Sequence, residues 1–554
     1  MNFSAKRLSQ TVTQLCLSKG IDHIVISPGS RNAPLTIGFT EHPDFSCFSI
    51  VDERCAAFFA LGMAQQFKKP VALVCSSGSA LLNYFPAVAE AFYSDIPLVV
   101  LSADRPSELL EIGDGQTIQQ EDVYGKHILY NANCKEGEEH QTYNETEINI
   151  ALNTAIELQA PVHINIPFSE PLYNKVKALE VSPQHVPARI DSDEISENID
   201  EFVKAWNNSA KKMILIGVLP PNSIEEQYIK ILAEDESVLV LTEATSNLHH
   251  ENFIPAIDQL ITVLDEDGFK ELQPDILLTF GGMVVSKRIK KFLRSYKPKA
   301  HWHVDAKKAY DTYFSLSHHF KITPNTFLKA FLPRTETIIN TYQTQWLTVK
   351  NERTVKHNKY VESVPYSDFK VYSEILNSLP EKIQFQVANS AAIRYVQLFD
   401  LPSSVQVFCN RGTSGIDGSV STAVGAAYAS KLPTLLITGD LSFFYDSNAL
   451  WSNYIPKNFK IILINNSGGG IFRILPHAQN TQHFNQFFET EHKLSAKHLS
   501  SMYNFKYFSV NNENSLKETL PIFFEEKNTP SLLEVKTPSE INDVVLKEYF
   551  KCLK

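Results

Sequence analysis

Along most of this chain, short runs of apolar residues alternate with helix-length amphipathic spans. The runs are rich in Val, Ile and Leu without polar alternation, as expected of parallel strands buried on both faces. Residues 4–19 put Leu8, Val12, Leu15 and Cys16 on one helical face, with Gly20 as the stop. HIVI then enters the turn SPGSR, FSIV an Ala-rich helix opening at Glu53, VALV the turn SSGS, and LVVL the segment SADRP. The polar, proline-bearing stretch KALEVSPQHVPARIDSDE reads as a linker. Beyond it MILIGV, VLVLTEA, DILLTFGG and HWHVDA repeat the rhythm of strand then helix. A third series starts near Tyr366 and closes with SLLEVKT and a final helix. The pattern predicts an α/β chain of three doubly wound parallel-sheet domains, at about 1–180, 190–340 and 355–554.

The first and third series are copies of one unit. At one constant offset and without a gap, Pro70 falls on Pro433, VALV on TLLI, Ser79 on Ser442, and LVVL on IILI. The same register places IVI on VAN, Arg31 on Arg394, and LGMA (61–64) on VGAA (424–427). Internal duplication therefore relates the first domain to the third. The copies differ where chemistry is expected: Ser77 and Ala103 occupy the places of Asp440 and Asn466, and Ile416 occupies the place of Glu53.

In the third domain TLLI runs into Gly439-Asp440, and IILI into Asn465-Asn466 and a glycine run. Adjacent parallel strands end on one sheet edge, so Asp440 and Asn466 converge there. A carboxylate, an amide oxygen and the carbonyl of Gly468 make a hard-cation site with positions left for water and phosphate oxygens, the usual way to hold Mg²⁺. Either half alone is also ordinary turn chemistry. Glu53 opens its helix at a strand end, where it either favours the helix N-terminus or serves as a carboxyl of raised pKa facing a heterocycle. Ser30 and Arg31 lie at a strand-to-helix handover, the ligand edge of such a sheet, or form a solvated turn. Lys287 and Arg288 open a basic helix that is either a solvated face or part of a site. Ser390 and Arg394 share a helix face. Ile471, Phe472 and Leu475 form an apolar patch after the glycine run.

With 554 residues, 43% hydrophobic and 20% charged, the composition is that of a globular enzyme too long for one core. The net charge of −11 gives no footprint for nucleic acid, so an anionic substrate has to be met by local arginines. No stretch reaches the ~18 apolar residues of a membrane span, and the first residues do not read as a basic leader with an apolar run. Seven scattered cysteines without a C-x-x-C pair point to a reducing, cytoplasmic setting. The histidines show no three-ligand spacing, and no Walker A or G-x-G-x-x-G motif follows a strand.

The motifs SPGSR, VDERCAAF, SADRP, NRGTSGIDG, GDLSFFYD and NNSGGGIF, spread over nearly the whole chain, resemble those of the thiamine-diphosphate enzymes. Within that superfamily they are similar to the synthase branch that makes the menaquinone precursor. Leu441 departs from the superfamily's Gly-Asp-Gly signature.

The resemblance implies a thiamine-diphosphate-binding fold with a pyrimidine-binding first domain, a central domain, and a third domain that binds the diphosphate and Mg²⁺ (or Mn²⁺). It implies a transferase that decarboxylates 2-oxoglutarate and adds the succinyl carbanion equivalent to isochorismate in a 1,4 sense. A homodimer or homotetramer with active sites at subunit interfaces goes with it. Glu53 is then the carboxyl at the pyrimidine ring, and Ile416 props the cofactor in its bent form. Ser390, Gly415, Gly439, Asp440, Leu441, Ser442, Asn466, Gly469 and Ile471 are its further contacts, with Asp440, Asn466 and Gly468 on the metal. Arg31, Arg394 and Arg411 join Glu53 in catalysis. Substrate contacts fall on Ser30, Arg31, Arg105, Gln116, Lys287, Arg288, Ser390, Arg394, Arg411, Phe472 and Leu475. Gly115 stands where the branch leads one to expect Asn. Two rival readings are an acetolactate-synthase-like carboligase or decarboxylase, and a non-catalytic nucleotide sensor built from the same duplicated unit.

Overall fold

The structure is a computed structural model describing residues 2–189, 193–195, 197–474 and 482–554, so the expected linker lies partly outside the described residues. Among these residues three six-stranded sheets form, beside a two-stranded pairing of Phe3–Ser4 with Lys175–Val176. The first sheet uses His23–Ile26, Ser46–Ser49, Val71–Cys75, Leu98–Asp104, Asn131–Asn133 and Val162–Pro167. The third uses Gln384–Val387, Gln406–Phe408, Thr434–Gly439, Lys460–Asn465, Lys506–Val510 and Ser531–Lys536. Numbered along the chain within each sheet, the strands lie in the order 2-1-3-4-6-5 in both. The paired strands run parallel. One shared strand order is the three-dimensional form of the repeat.

The middle sheet joins Lys212–Ile216, Val238–Leu241, Phe253–Ile254, Ile276–Phe280, Ala300–Val304 and Leu316–Phe320 in the order 3-2-1-4-5-6, that of a dinucleotide-binding sheet. A ligand of such a sheet sits where the order reverses, between Lys212–Ile216 and Ile276–Phe280. Here that crevice is filled by backbone. A Cβ on Gly217 would stand 1.9 Å from the carbonyl oxygen of Gly282, and the Gly282 N–H donates to the Val218 carbonyl at 2.8 Å. The middle sheet thus has the strand order of a nucleotide fold, with the phosphate position closed by its own turns.

Two compact units make up the chain. The first gathers Met1–Asp191, Gly412–Thr434 and Ser442–Phe459; the second gathers Ser192–Arg411, Leu435–Leu441 and Lys460–Lys554.

Within the first, the helices Glu53–Phe67 and Ser419–Ala429 cross in direct contact. The crossing is built on glycine. A Cβ on Gly62 would stand 2.1 Å from the Thr422 carbonyl oxygen, and one on Gly425 would stand 2.0 Å from that of Phe59. These glycines are equivalent positions of the repeat, so each copy presents the same notch to the other. Phe48 packs edge to face on Tyr428 and Tyr454 beside them.

Within the second unit the helix Tyr342–Ser363 buries Tyr342 and Trp346 in the middle sheet's core and packs Tyr360 and Val361 on the core of the third sheet. None of the seven cysteines is in a disulfide, and five of them are buried. No helix among the described residues is long and apolar enough to cross a membrane.

Candidate active site

In the first unit Glu53 is the first residue of its helix, which Asp52 caps by accepting the Cys55 N–H at 3.1 Å. Asp52 is held in turn by the Asn448 amide at 2.8 Å. The half-buried Glu53 side chain takes no hydrogen bond or ion pair from another described residue. Burial raises its pKa above the ordinary value; its own backbone N–H offsets part of that, and the Asp52 charge adds to it.

Arg31 is buried at 5% exposure, with Nη1 on the Phe168 carbonyl at 2.7 Å, Nη2 3.4 Å from Glu170, and Nε without a partner among the described residues. Ser30 beside it is exposed. Arg105 donates from Nη2 to the Gly115 carbonyl at 2.9 Å. Gln116 follows, exposed and in the left-handed region at φ 57°. A Cβ on Gly78 would meet the Gln116 backbone at 3.3 Å, so the turn after Val71–Cys75 and this segment touch.

The glycine-rich turn before the helix Ser419–Ala429 belongs to the same unit and hangs on Glu90. This glutamate, 1% exposed, accepts the N–H groups of Gly412 (2.7 Å) and Thr413 (2.6 Å) and the Thr413 hydroxyl (2.8 Å). Gly415 and Ile416 follow. The Ile416 carbonyl accepts from the Ser442 hydroxyl at 2.7 Å while the residue is 39% exposed, an apolar surface just ahead of the helix.

In the second unit Thr434–Gly439 delivers Asp440, 2% exposed. Its Oδ1 accepts the Leu441 N–H at 2.7 Å, and its Oδ2 accepts the Gly468 N–H at 3.0 Å. His492 Nε2 stands 3.4 Å from the same Oδ2. Lys460–Asn465 delivers Asn466, whose Nδ2 donates to Asp368 Oδ2 at 2.9 Å. A carboxylate cannot donate, so the amide nitrogen faces it and Oδ1 is the remaining acceptor end. Gly468 takes φ +156°, and a Cβ there would stand 2.7 Å from the Glu489 carbonyl oxygen, so the position requires glycine. Gly469 donates to that carbonyl at 2.6 Å, and Phe472 packs on Phe488. Gly439, Leu441 and Ile471 adjoin this corner along the chain. Leu475 lies outside the described residues.

The cations of the second unit gather around two carboxylates. Glu243, just past Val238–Leu241, accepts the N–H groups of Val285 (2.7 Å) and Ser286 (2.8 Å). Burial pushes its carboxyl up to about 7, outweighing those donors and the charge of Arg411. Asp258 accepts the Ser286 hydroxyl and stands 3.7 Å from Arg288 Nε, while the Arg288 guanidinium stacks 4.3 Å over the Phe550 ring. Ser286 in turn caps the helix Lys287–Ser295 through the Ile289 N–H at 3.2 Å. Ser390 takes φ 67°, and its carbonyl accepts from Arg394 Nη1. Burial and the Arg411 charge lower the Arg394 pKa, opposed by Asp258. Arg411 donates to Asn389 Oδ1 at 2.7 Å. Guanidinium groups held close together against their mutual repulsion, with Lys287 exposed and next to Arg288 in sequence, have the chemistry to receive carboxylates.

A family model described as thiamine pyrophosphate enzyme, N-terminal TPP binding domain, matches residues 6–127, and one described as middle domain of thiamine pyrophosphate matches residues 189–387. The chain is 56% identical to the 2-succinyl-5-enolpyruvyl-6-hydroxy-3-cyclohexene-1-carboxylate synthase of Flavobacterium psychrophilum, over 99% of this chain and 98% of that one. It is 52% identical, over the full length of both, to the protein of that name from Christiangramia forsetii. The chain belongs to the 2-succinyl-5-enolpyruvyl-6-hydroxy-3-cyclohexene-1-carboxylate synthase family. It is therefore an enzyme of the transferase class that uses thiamine diphosphate and acts on small molecules. Membership of this synthase family excludes the sensor reading and sets aside the acetolactate-synthase-like one.

The residues present fit the cofactor of the synthase family. Glu53 is a half-buried carboxyl with no hydrogen-bond partner among the other described residues, and Ile416 is an exposed apolar residue held by its carbonyl. Asp440, the amide oxygen of Asn466 and the turn at Gly468 offer oxygen donors of the kind a hard cation takes. Reasoning from sequence missed Glu90, Glu243, Asp258 and Asp368, the carboxylates that hold these parts. Two of them left a signal: Glu90 interrupts the apolar helix AVAEAF, and Glu243 ends the apolar strand VLVLTEA as Glu53 and Asp440 end theirs.

Proposed function

We propose that the chain decarboxylates 2-oxoglutarate and adds the remaining four-carbon unit to isochorismate in a 1,4 sense, giving 2-succinyl-5-enolpyruvyl-6-hydroxy-3-cyclohexene-1-carboxylate. Thiamine diphosphate, when bound, supplies the electron sink for the carbon–carbon bond that breaks. Glu53 holds a hydrogen bond at the pyrimidine ring, and its raised pKa suits a carboxyl that shares a proton with a heterocyclic nitrogen. Ile416 supports the cofactor from one side, with Ser390, Gly415, Gly439, Leu441, Ser442, Gly469 and Ile471 as further contacts. Asp440, Asn466 and the Gly468 carbonyl hold Mg²⁺ or Mn²⁺ against the diphosphate.

Ser30, Arg31, Arg105, Gln116, Lys287, Arg288, Ser390, Arg394 and Arg411, with the apolar Phe472 and Leu475, receive the two carboxylate-bearing substrates. The three expected domains, 1–180, 190–340 and 355–554, divide this work into pyrimidine, central and diphosphate functions. The active sites are shared between subunits of a homodimer or homotetramer, and the enzyme acts in the cytoplasm.

The observation that carries this reading is the Glu53 carboxyl, half-buried at a helix start and left without a hydrogen-bond partner among the other described residues. Glu53→Gln keeps its shape and removes its charge. Turnover should then fall by orders of magnitude while thiamine diphosphate still binds in a calorimetric titration; near-normal turnover sinks the assignment. Carbon dioxide release from 2-oxoglutarate but not pyruvate, followed by consumption of isochorismate, tests the substrate choice.

A further inference from the structure

We propose that Asp368 is a positioning residue for the metal: it fixes which end of the Asn466 amide faces the cation. The proposal rests on the metal assignment made above for Asp440, Asn466 and Gly468.

Asp368 is the first residue of the helix Asp368–Asn377, remote in sequence from both metal-bearing strands. It is 3% exposed, and both carboxylate oxygens are committed. Its backbone N–H donates to Asn542 Oδ1 at 2.9 Å, its Oδ1 accepts the Thr537 hydroxyl at 2.6 Å, and its Oδ2 accepts Asn466 Nδ2 at 2.9 Å. Thr537 is itself fixed by donating its backbone N–H to the Asn465 carbonyl at 3.1 Å. A carboxylate so placed only accepts.

An isolated Asn side chain has two nearly isosteric ends, an acceptor and a donor, and rotates between them. Only the acceptor end can ligate a hard cation. A buried carboxylate beside one end removes the ambiguity, because a flipped amide would bring two oxygens together with no proton between them. Asp368 thereby fixes the orientation in advance, as outer partners of metal ligands do. It also places a negative charge behind the amide ligand.

The test exchanges donor and acceptor. In Asp368→Asn the new amide can accept from Asn466 Nδ2 or, turned over, donate to Asn466 Oδ1, with the Thr537 hydroxyl accepting or donating to match, so the orientation of Asn466 is no longer fixed. In Asn466→Asp two carboxylates face each other. In the double variant the new amide at position 368 accepts from Thr537 and donates to the new carboxylate at position 466, so both bonds are remade and one carboxylate oxygen is left for the metal. Mn²⁺ binding to the full chain with thiamine diphosphate present is read from the electron paramagnetic resonance signal of free Mn²⁺, independently of turnover. Thermal unfolding in EDTA confirms that each variant is folded.

Asp368→Asn should weaken Mn²⁺ binding about 10- to 100-fold, Asn466→Asp should weaken it as well, and the double variant should bind more tightly than either. Asp440→Ala, which removes a ligand outright, should bind no Mn²⁺. Loss of binding in Asp440→Ala together with normal binding in Asp368→Asn overturns the inference and leaves the metal assignment standing. A double variant no tighter than the tighter of the two single ones also overturns it. Normal binding in Asp440→Ala overturns the metal assignment and the inference with it.

Discussion

Placing a methyl group at Gly425 tests the glycine crossing, because the structure gives the size and the sign of the effect. On an exposed helix position Gly→Ala stabilises by about 1 kcal/mol through backbone entropy. At Gly425 the new Cβ would stand 2.0 Å from the Phe59 carbonyl oxygen, 2.7 Å from its carbon and 2.9 Å from its Cα. Those are backbone atoms of a buried helix, so no rotamer change relieves them. The helices Glu53–Phe67 and Ser419–Ala429 have to separate by roughly 1 Å, and a gap of that size forfeits a quarter to a half of each dispersion contact across the crossing.

Overpacking of this kind costs typically about 1–3 kcal/mol and occasionally more. With a backbone clash, the upper end applies and outweighs the helix-propensity gain. At about 2–4 °C per kcal/mol for a unit of this size, the unfolding midpoint of Gly425→Ala should fall by roughly 5–10 °C in a thermal scan. Gly62→Ala should behave alike, since its Cβ meets the Thr422 oxygen at 2.1 Å. Because either change opens the same crossing, the double variant should lose less than the two single losses together. An unchanged or raised midpoint for Gly425→Ala would refute the close approach.

Glu243, raised to about 7 from an ordinary 4.5 by burial, binds a proton more readily in the folded chain than in the unfolded one. Its stabilising contribution is therefore full below about pH 4.5 and is lost as pH rises through 7, on the order of 3 kcal/mol. Comparing Glu243→Gln with the parent by thermal unfolding from pH 5 to 7.5 should show the parent's advantage shrinking as pH rises; parallel curves refute it. Glu90→Gln leaves at least one of the donors from Gly412 and Thr413 unmatched, so stability should drop by about 1–3 kcal/mol in a denaturant titration, with turnover falling as the Ile416 turn loosens. A Cβ on Gly115 meets nothing within 4 Å, so Gly115→Asn should unfold like the parent and lower the KM for isochorismate by supplying the missing amide. An unchanged KM removes that contact from the acceptor site.

The repeat was legible because duplication leaves a register, and a register survives substitution of most side chains. Placing LGMA on VGAA already paired Gly62 with Gly425. That the two glycines meet was not legible, since the sequence shows equivalence and not contact. Asp440 and Asn466 stood out as a pair ending two apolar strands, although either alone is ordinary turn chemistry, and Glu53 stood out because its counterpart in the repeat is Ile416. Asp258 and Asp368 did not, since a carboxylate that accepts hydrogen bonds from distant segments follows no local period. The middle sheet's strand order was equally hidden: Phe253–Ile254 is too short to give a signal, and Leu316–Phe320 holds two histidines. Orientation also escaped, as with Arg31, whose Nη1 is spent on the Phe168 carbonyl.

The first unit is closed by chain that arrives late. Its helix Glu53–Phe67 waits for Ser419–Ala429, and the second unit's stretch from Ser192 to Arg411 is synthesised between them. At about 5–20 residues per second the delay is on the order of tens of seconds. During that time the notch at Gly62 and the apolar side chains around it have no cover on a growing chain. Until its own partner helix is made, each notch is left open to the matching helix of a neighbouring nascent chain. The duplication that built the crossing thus also sets a hazard during translation, and crowding of ribosomes on one message sharpens it.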